Sequence, residues 1–222
     1  MGIQISPLPG GIGAEIHGID LKAPSHDDRR AIYQAYLDHR IIALRGQDGL
    51  TTDNVMDASR ILGPELEPHV FTRYHHPDTP LLMVLSNRVD TAGNEKGLKD
   101  AGSFWHSDVS YKEIPAKATM LYALEVPDVG GNTLFCDMAA AYEGLPDAMK
   151  ARLNGLQAVH NYAHTPREIF KTGEVTPPPD CVHPVIRTNP ENGCKSIYIN
   201  PSYTVRIKGM PIEESDALKD EI

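Results

Sequence analysis

Residues 105–108 read Trp-His-Ser-Asp, and roughly two dozen positions later the chain reads Gly130-Gly131-Asn132-Thr133. In a strand, residues two apart share a face, so a strand here would send His106 and Asp108 into one cavity and Ser107 away from it. One neutral imidazole and one carboxylate are two of the three protein ligands of the facial triad that holds non-haem Fe(II), leaving positions for a co-substrate and for oxygen. Zinc also accepts His and Asp, although no HExxH arrangement is present. The spacing alone is equally compatible with an ordinary polar pair. His160, His164 and His183 follow in the chain, and His183, opening a strand, is a candidate third ligand on the residues alone.

Such a pair needs elements to hold it. Residues 3–20 suggest two short strands broken by Pro and Gly, the second alternating around Ile12, Ala14 and Ile16. "HDDRRAIYQAYLDH" carries acids at its start and Ile32, Tyr33, Tyr36 and Leu37 at helical spacing. "RIIALRG" reads as a buried strand, and "LTTDNVMDASRILG" as a helix with Thr52 as N-cap and Gly63 as its stop. "LLMVLSN", "ATMLYALEV" and "NTLFCDM" are short, apolar and bounded by turn residues, which predicts strands with Gly-Gly-Asn as the turn between the last two. The polar stretch 84–103 reads as a mobile lid. "MAAAYEGL" and "PDAMKARLNGL" are predicted helices, and "KTGEVTPPPDC" a loop. "HPVIRTNPENGCKSIYIN" reads as a hairpin turning at Asn192-Gly193. A last helix begins at Pro211 and runs to Ile222 without a stop signal, so the sequence is expected to break off within an element. The late strands argue for a β-sandwich or barrel core with the early helices outside it.

Composition narrows the function. At 222 residues and 41% apolar content, the chain is expected to form a single domain spanning residues 1–222. A net charge of -9 without a Lys/Arg cluster argues against nucleic acid as a partner. No stretch reaches the roughly 20 apolar residues of a membrane span, and the amino terminus lacks a signal-peptide pattern, so a cytoplasmic protein is expected. Cys136, Cys181 and Cys194 show no CxxC spacing and read as reduced thiols in strands.

The wording of residues 105–145, "WHSDVSYKEIPAKATMLYALEVPDVGGNTLFCDMAAAYEGL", resembles the iron(II)- and 2-oxoglutarate-dependent dioxygenases of the taurine/phenoxyacetate (TauD/TfdA) family, with their Trp-His-x-Asp and Pro-x-x-Gly-Gly-[Asp/Asn]-Thr signatures. "PLPGGIGAEIHGIDL", "DHRIIALRGQ" and "HPVIRTNPENGCKSIYINPSYTVRIKGMPIEESDAL" resemble family blocks in the same order. The resemblance implies an α+β fold with a double-stranded β-helix (jelly roll) core and flanking helices. It makes His106 and Asp108 iron ligands, Thr133 a donor to the 2-oxoglutarate carboxylate, and Trp105 a packing residue beside them. It further implies that His69 helps hold the anionic group of a small-molecule substrate and that Tyr203 lines the same pocket. Fe(II), 2-oxoglutarate and O₂ are the implied cofactor and co-substrates. Taurine-specific members carry an asparagine shortly before the Trp-His pair. Here the neighbourhood reads "KDAGSF", and Gly102 offers no side chain.

The family's distal iron histidine and its 2-oxoglutarate arginine lie after the helix that begins "PIEESDAL", so neither is expected within residues 1–222, nor are the carboxyl-terminal strands. The implied reaction hydroxylates a sulfonate, sulfate ester or phenoxy acid, releasing succinate and CO₂. The rival readings are an inactive fragment or pseudo-enzyme of the same family, and a cupin-like metal-dependent hydrolase or isomerase using His106, Asp108 and His183. Whether the coding sequence continues past Ile222 discriminates the first rival, and oxygen consumption coupled to succinate formation the second. The sequence leaves homo-oligomer formation and the individual substrate open.

Overall fold

A computed structural model describes residues 2–70, 72–99, 101–164 and 178–222. The α+β chain divides into two compact units, residues 1–101 with 117–131 and residues 102–116 with 132–222.

In the first unit, the two short strands expected here form as β1 (Gln4–Pro7) and β2 (Ala14–His17), which pair antiparallel. Gly13 permits the close turn between them: its φ is +91°, and a Cβ there would stand 2.9 Å from Leu8 Cδ1. Helix α1 (His26–His39) then crosses to β3 (Ile42–Leu44), which lies parallel to β2 in the order β1-β2-β3. Ser25 starts α1 through a reciprocal box. Its hydroxyl accepts from the Asp28 amide at 3.1 Å, while its own amide donates to the Asp28 carboxylate at 2.9 Å. Helix α2 (Thr52–Ser59) uses the same device one residue earlier than expected, with Thr51 rather than Thr52 as N-cap. Thr51 has Asn54 at the third helical position to complete its box, whereas Thr52 would face Val55. Nor does Gly63 end this helix. Bonds from Ile61 and Leu62 back to the carbonyls three residues earlier tighten the chain out of the helix at Arg60. Ile16, Ile19, Leu21, Ile32, Ala35 and Ala58 form the core of this unit. β3, expected to be buried, is half-buried.

β4 (His75–His76) and β5 (Thr79–Met83) form a small antiparallel pair. Beyond them, residues 84–98 fold back on themselves through bridges at Leu85–Leu98 and Val89–Glu95. The Asp90 carboxylate closes the tip by accepting from the amides of Ala92 and Asn94 at 2.8 and 2.9 Å. The stretch read as a lid is thus a hydrogen-bonded arm.

In the second unit, α3 (Met138–Gly144) is capped by the Asp137 carboxylate and α4 (Asp147–Leu153) starts after Pro146. β6 (Gln157–His160), β7 (Cys181–Pro184) and β10 (Thr204–Ile207) form an antiparallel sheet in the order β10-β6-β7. β8 (Ile186–Thr188) and β9 (Lys195–Ile197) form the predicted hairpin, with Gly193 at φ +71° in its turn. Helix α5 (Ile212–Glu221) packs Leu218 against Leu153, Ala158, Val185 and Ile207. Residues 171–177 of the predicted Pro/Gly-rich loop lie outside the described residues.

Two sequence expectations fail. Among the described residues no strand forms between 117 and 137, and Leu121, Leu124, Val126, Val129, Leu134 and Phe135 are exposed. Apolar composition alone does not make a strand; its amides and carbonyls need a ladder partner, and these segments have none. Of the three cysteines only Cys181 lies in a strand; Cys136 falls in the stretch without one and Cys194 at the turn of the β8–β9 hairpin, both exposed. Among the described residues, no helix is long and apolar enough to cross a membrane.

Candidate metal site

His106 and Asp108 meet without the strand that was expected to align them. Residues 101–116 run through turns and bends, and the reversal is local. Val109, β-branched, sits at φ +58°, a left-handed conformation that costs on the order of 1–3 kcal/mol and turns the chain immediately after Asp108. Gly102, at φ +74°, lets the backbone pass the imidazole, since a Cβ there would stand 3.4 Å from His106 Cε1.

The resulting pair has His106 Nε2 3.2 Å from Asp108 Oδ1. His106 Nδ1 lies 2.7 Å from the Phe104 carbonyl oxygen. A carbonyl can only accept, so Nδ1 carries a proton; a second proton on Nε2 makes the contact an imidazolium–carboxylate ion pair, whereas the neutral ring presents a lone pair there that a cation can share with the carboxylate. Ligands about 2.1 Å from one metal and at right angles to each other are about 3.0 Å apart, so the pair fits adjacent corners of a coordination sphere. The Phe104 carbonyl supplies the outer contact that metal-binding imidazoles normally require. With side chains 29% and 44% exposed, both donors remain open to a small ligand.

Tyr203 joins them. Its ring is buried and meets the His106 ring edge-on at 6.3 Å, backed by Tyr111 at 5.3 Å and Tyr162 at 5.9 Å. Trp105, expected to pack as an anchor, is 52% exposed. Thr133 lies in the second unit and is exposed. His69 belongs to the first unit, half-buried, with its carbonyl 2.8 Å from His75 Nε2.

His183 does not complete the site. Its Nε2 is 2.9 Å from the Lys112 carbonyl, a contact that requires a proton on that nitrogen. His160 is fully buried, with Nδ1 3.1 Å from the Ser110 hydroxyl. Burial, reinforced by His183 alongside, pushes His160 down to about 4. Burial likewise lowers His183, so both rings are neutral near pH 7. Among the described residues, no group of three His, Cys, Asp or Glu side chains could hold a metal ion. The interior partners Ser110, Tyr111 and Tyr162 escaped the sequence reading. Only the polar residues punctuating apolar runs, as in "QAVHNY", hinted at them.

The family model for the taurine catabolism dioxygenase TauD, TfdA family matches residues 4–222. Pentalenolactone F synthase of Streptomyces avermitilis is 29% identical over 240 residues, covering 99% of this chain and 78% of that protein. The alpha-ketoglutarate-dependent sulfate ester dioxygenase of Pseudomonas putida is also 29% identical, covering 97% of this chain and 72% of its own length. Among solved structures, a taurine dioxygenase from Burkholderia xenovorans superposes with a TM-score of 0.70 at 29% identity, covering all of this chain and 71% of that one. The chain belongs to the TauD/TfdA family of dioxygenases.

Proposed function

We propose that this protein is an Fe(II)- and 2-oxoglutarate-dependent dioxygenase that hydroxylates a small organic acid, a sulfate ester, sulfonate or phenoxy acid. The observation that carries this reading is the 3.2 Å approach of His106 Nε2 to the Asp108 carboxylate, with Nδ1 on the Phe104 carbonyl, in a chain of this family. Iron and 2-oxoglutarate, when bound, supply the oxidation: 2-oxoglutarate, O₂ and a substrate C–H bond become succinate, CO₂ and a hydroxylated product. The residues of this chain hold and orient. His106 would hold the metal through Nε2, with its Nδ1 proton on the Phe104 carbonyl orienting the ring. Asp108 contributes one negative charge and leaves room at its exposed side for the co-substrate. Tyr203 packs the imidazole from within, and its assignment to the substrate pocket rests on the family resemblance. Thr133 is assigned to the 2-oxoglutarate carboxylate and His69 to the substrate anion. We further assign the chain to a single jelly-roll domain in the cytoplasm, on the family resemblance.

The test is to incubate the natural gene product with Fe(II), ascorbate, 2-oxoglutarate and a panel of sulfate esters, sulfonates and phenoxy acids, and to quantify succinate. Succinate that rises only with accepted acids supports the reading. Turnover of an acid under strict anaerobiosis, with no succinate, would identify a metal-dependent hydrolase instead.

A further inference from the structure

The sheet of the second unit has one face that the metal reaction does not explain. β6 and β7 pair with Ala158 opposite His183 and His160 opposite Cys181. Strand alternation puts these four on one face and Val159 and Val182 on the other. Two histidines on a buried face are costly unless their polar atoms are paired; His160 Nε2 is buried without a partner, while His160 Nδ1 and His183 Nε2 both go to one short segment. His160 Nδ1 is 3.1 Å from the Ser110 hydroxyl, and Asn200 Nδ2 donates to the same oxygen at 3.4 Å. His183 Nε2 donates to the Lys112 carbonyl at 2.9 Å. The Tyr198 ring stacks on His160 at 5.7 Å and meets His183 edge-on at 5.4 Å.

We infer that the His160–His183–Tyr198 cluster is a clamp that positions the loop carrying His106 and Asp108, with His160 acting through Ser110 as its central positioning residue. Ser110 and Lys112 both follow Asp108 closely, so the clamp holds the loop on the carboxyl side of the two ligands. The strained residue, Val109, lies between Asp108 and these tethers. A β-branched residue at φ +58° reverts to a relaxed conformation unless its neighbours over-determine it, and Ser110, fully buried beside Val109, is the nearest of those neighbours. Releasing Ser110 lets Val109 relax, which frees the segment carrying His106 and Asp108 to move as a whole and loosens both donors. None of these clamp residues touches the metal position. The inference rests on the assignment of His106 and Asp108 as metal ligands.

The experiment compares the natural gene product with His160→Phe, His160→Asn and Ser110→Ala. Two quantities are measured: Mn(II) affinity by electron paramagnetic resonance, and amide hydrogen exchange in peptides spanning 105–112. His160→Phe and Ser110→Ala are expected to weaken Mn(II) binding on the order of 10-fold and to speed exchange in 105–112, with exchange in β1 and β2 unchanged. His160→Asn, which keeps a nitrogen near the position of Nδ1, is expected to recover most of both losses. Faster exchange with Mn(II) affinity within about twofold of the parent would make the cluster structural only and overturn the inference, as would two unchanged readings. Should His160→Phe not fold, Ser110→Ala, which removes one oxygen, decides alone. A parent protein that takes up no Mn(II) would instead defeat the metal-site assignment itself.

Discussion

At Val109 a φ of +58° turns the chain away just after Asp108, and His106 and Asp108 meet without the strand expected to align them. The residue types and their spacing were legible because iron chemistry needs an imidazole beside a carboxylate, and only two donors of that kind stand together in the signature. The manner of convergence was not legible. A valine gives no sign that it will adopt a left-handed conformation, and Ser110 gives none that it will be fully buried. At this scale Asp108→Asn is expected to lower Mn(II) affinity by 10-fold or more, since the amide keeps the shape and loses the charge; its thermal midpoint should stay close to the parent's because the side chain is 44% exposed. Isothermal titration checks the first and calorimetry the second. Gly102→Ala should destabilise the protein by about 1 kcal/mol or more, because the new Cβ meets both a positive φ and the His106 ring at 3.4 Å. Urea titration reads that loss, and a neutral or stabilising effect would show that the backbone there is free to move.

Among elements, the helices were the legible part. α1 runs from His26 to His39, the limits of its acidic start and histidine end, because the amphipathic period and the dipole agree with the cap. The cap residues themselves were less legible, as Thr51 beside Thr52 shows: only the identity of the residue three positions on decides between them. Ser25→Ala is expected to cost about 1 kcal/mol, read from denaturant midpoints, because it removes the hydroxyl of a reciprocal box. Ser25→Asn should restore most of it. Strands were legible where their partners are close in sequence, as in the Asn192-Gly193 hairpin. They were misread in 118–138, where an apolar run met no partner. A ladder is a property of two segments, and one segment's composition cannot report it.

For the molecule as a whole, the buried histidines set the response to acid. An ordinary histidine titrates near 6.5, whereas His160 remains neutral until about 4. Between those values the unfolded chain binds a proton that the native chain refuses, so stability falls as the pH is lowered through that window. His183, also held below its ordinary value by burial, acts in the same direction. The urea midpoint should therefore drop between pH 7 and pH 4.5, and drop less in His160→Asn; a flat profile would contradict the buried neutral pair. The central claim is that dioxygen is split between the co-substrate and an organic acid at His106 and Asp108. The most direct test supplies heavy-isotope dioxygen to the Fe(II)-loaded natural gene product with 2-oxoglutarate and an accepted acid, and follows the label by mass spectrometry. The account predicts one labelled oxygen in succinate, the other in the hydroxylated product, and neither in Asp108→Ala. Unlabelled succinate, or labelling that survives in Asp108→Ala, would contradict it.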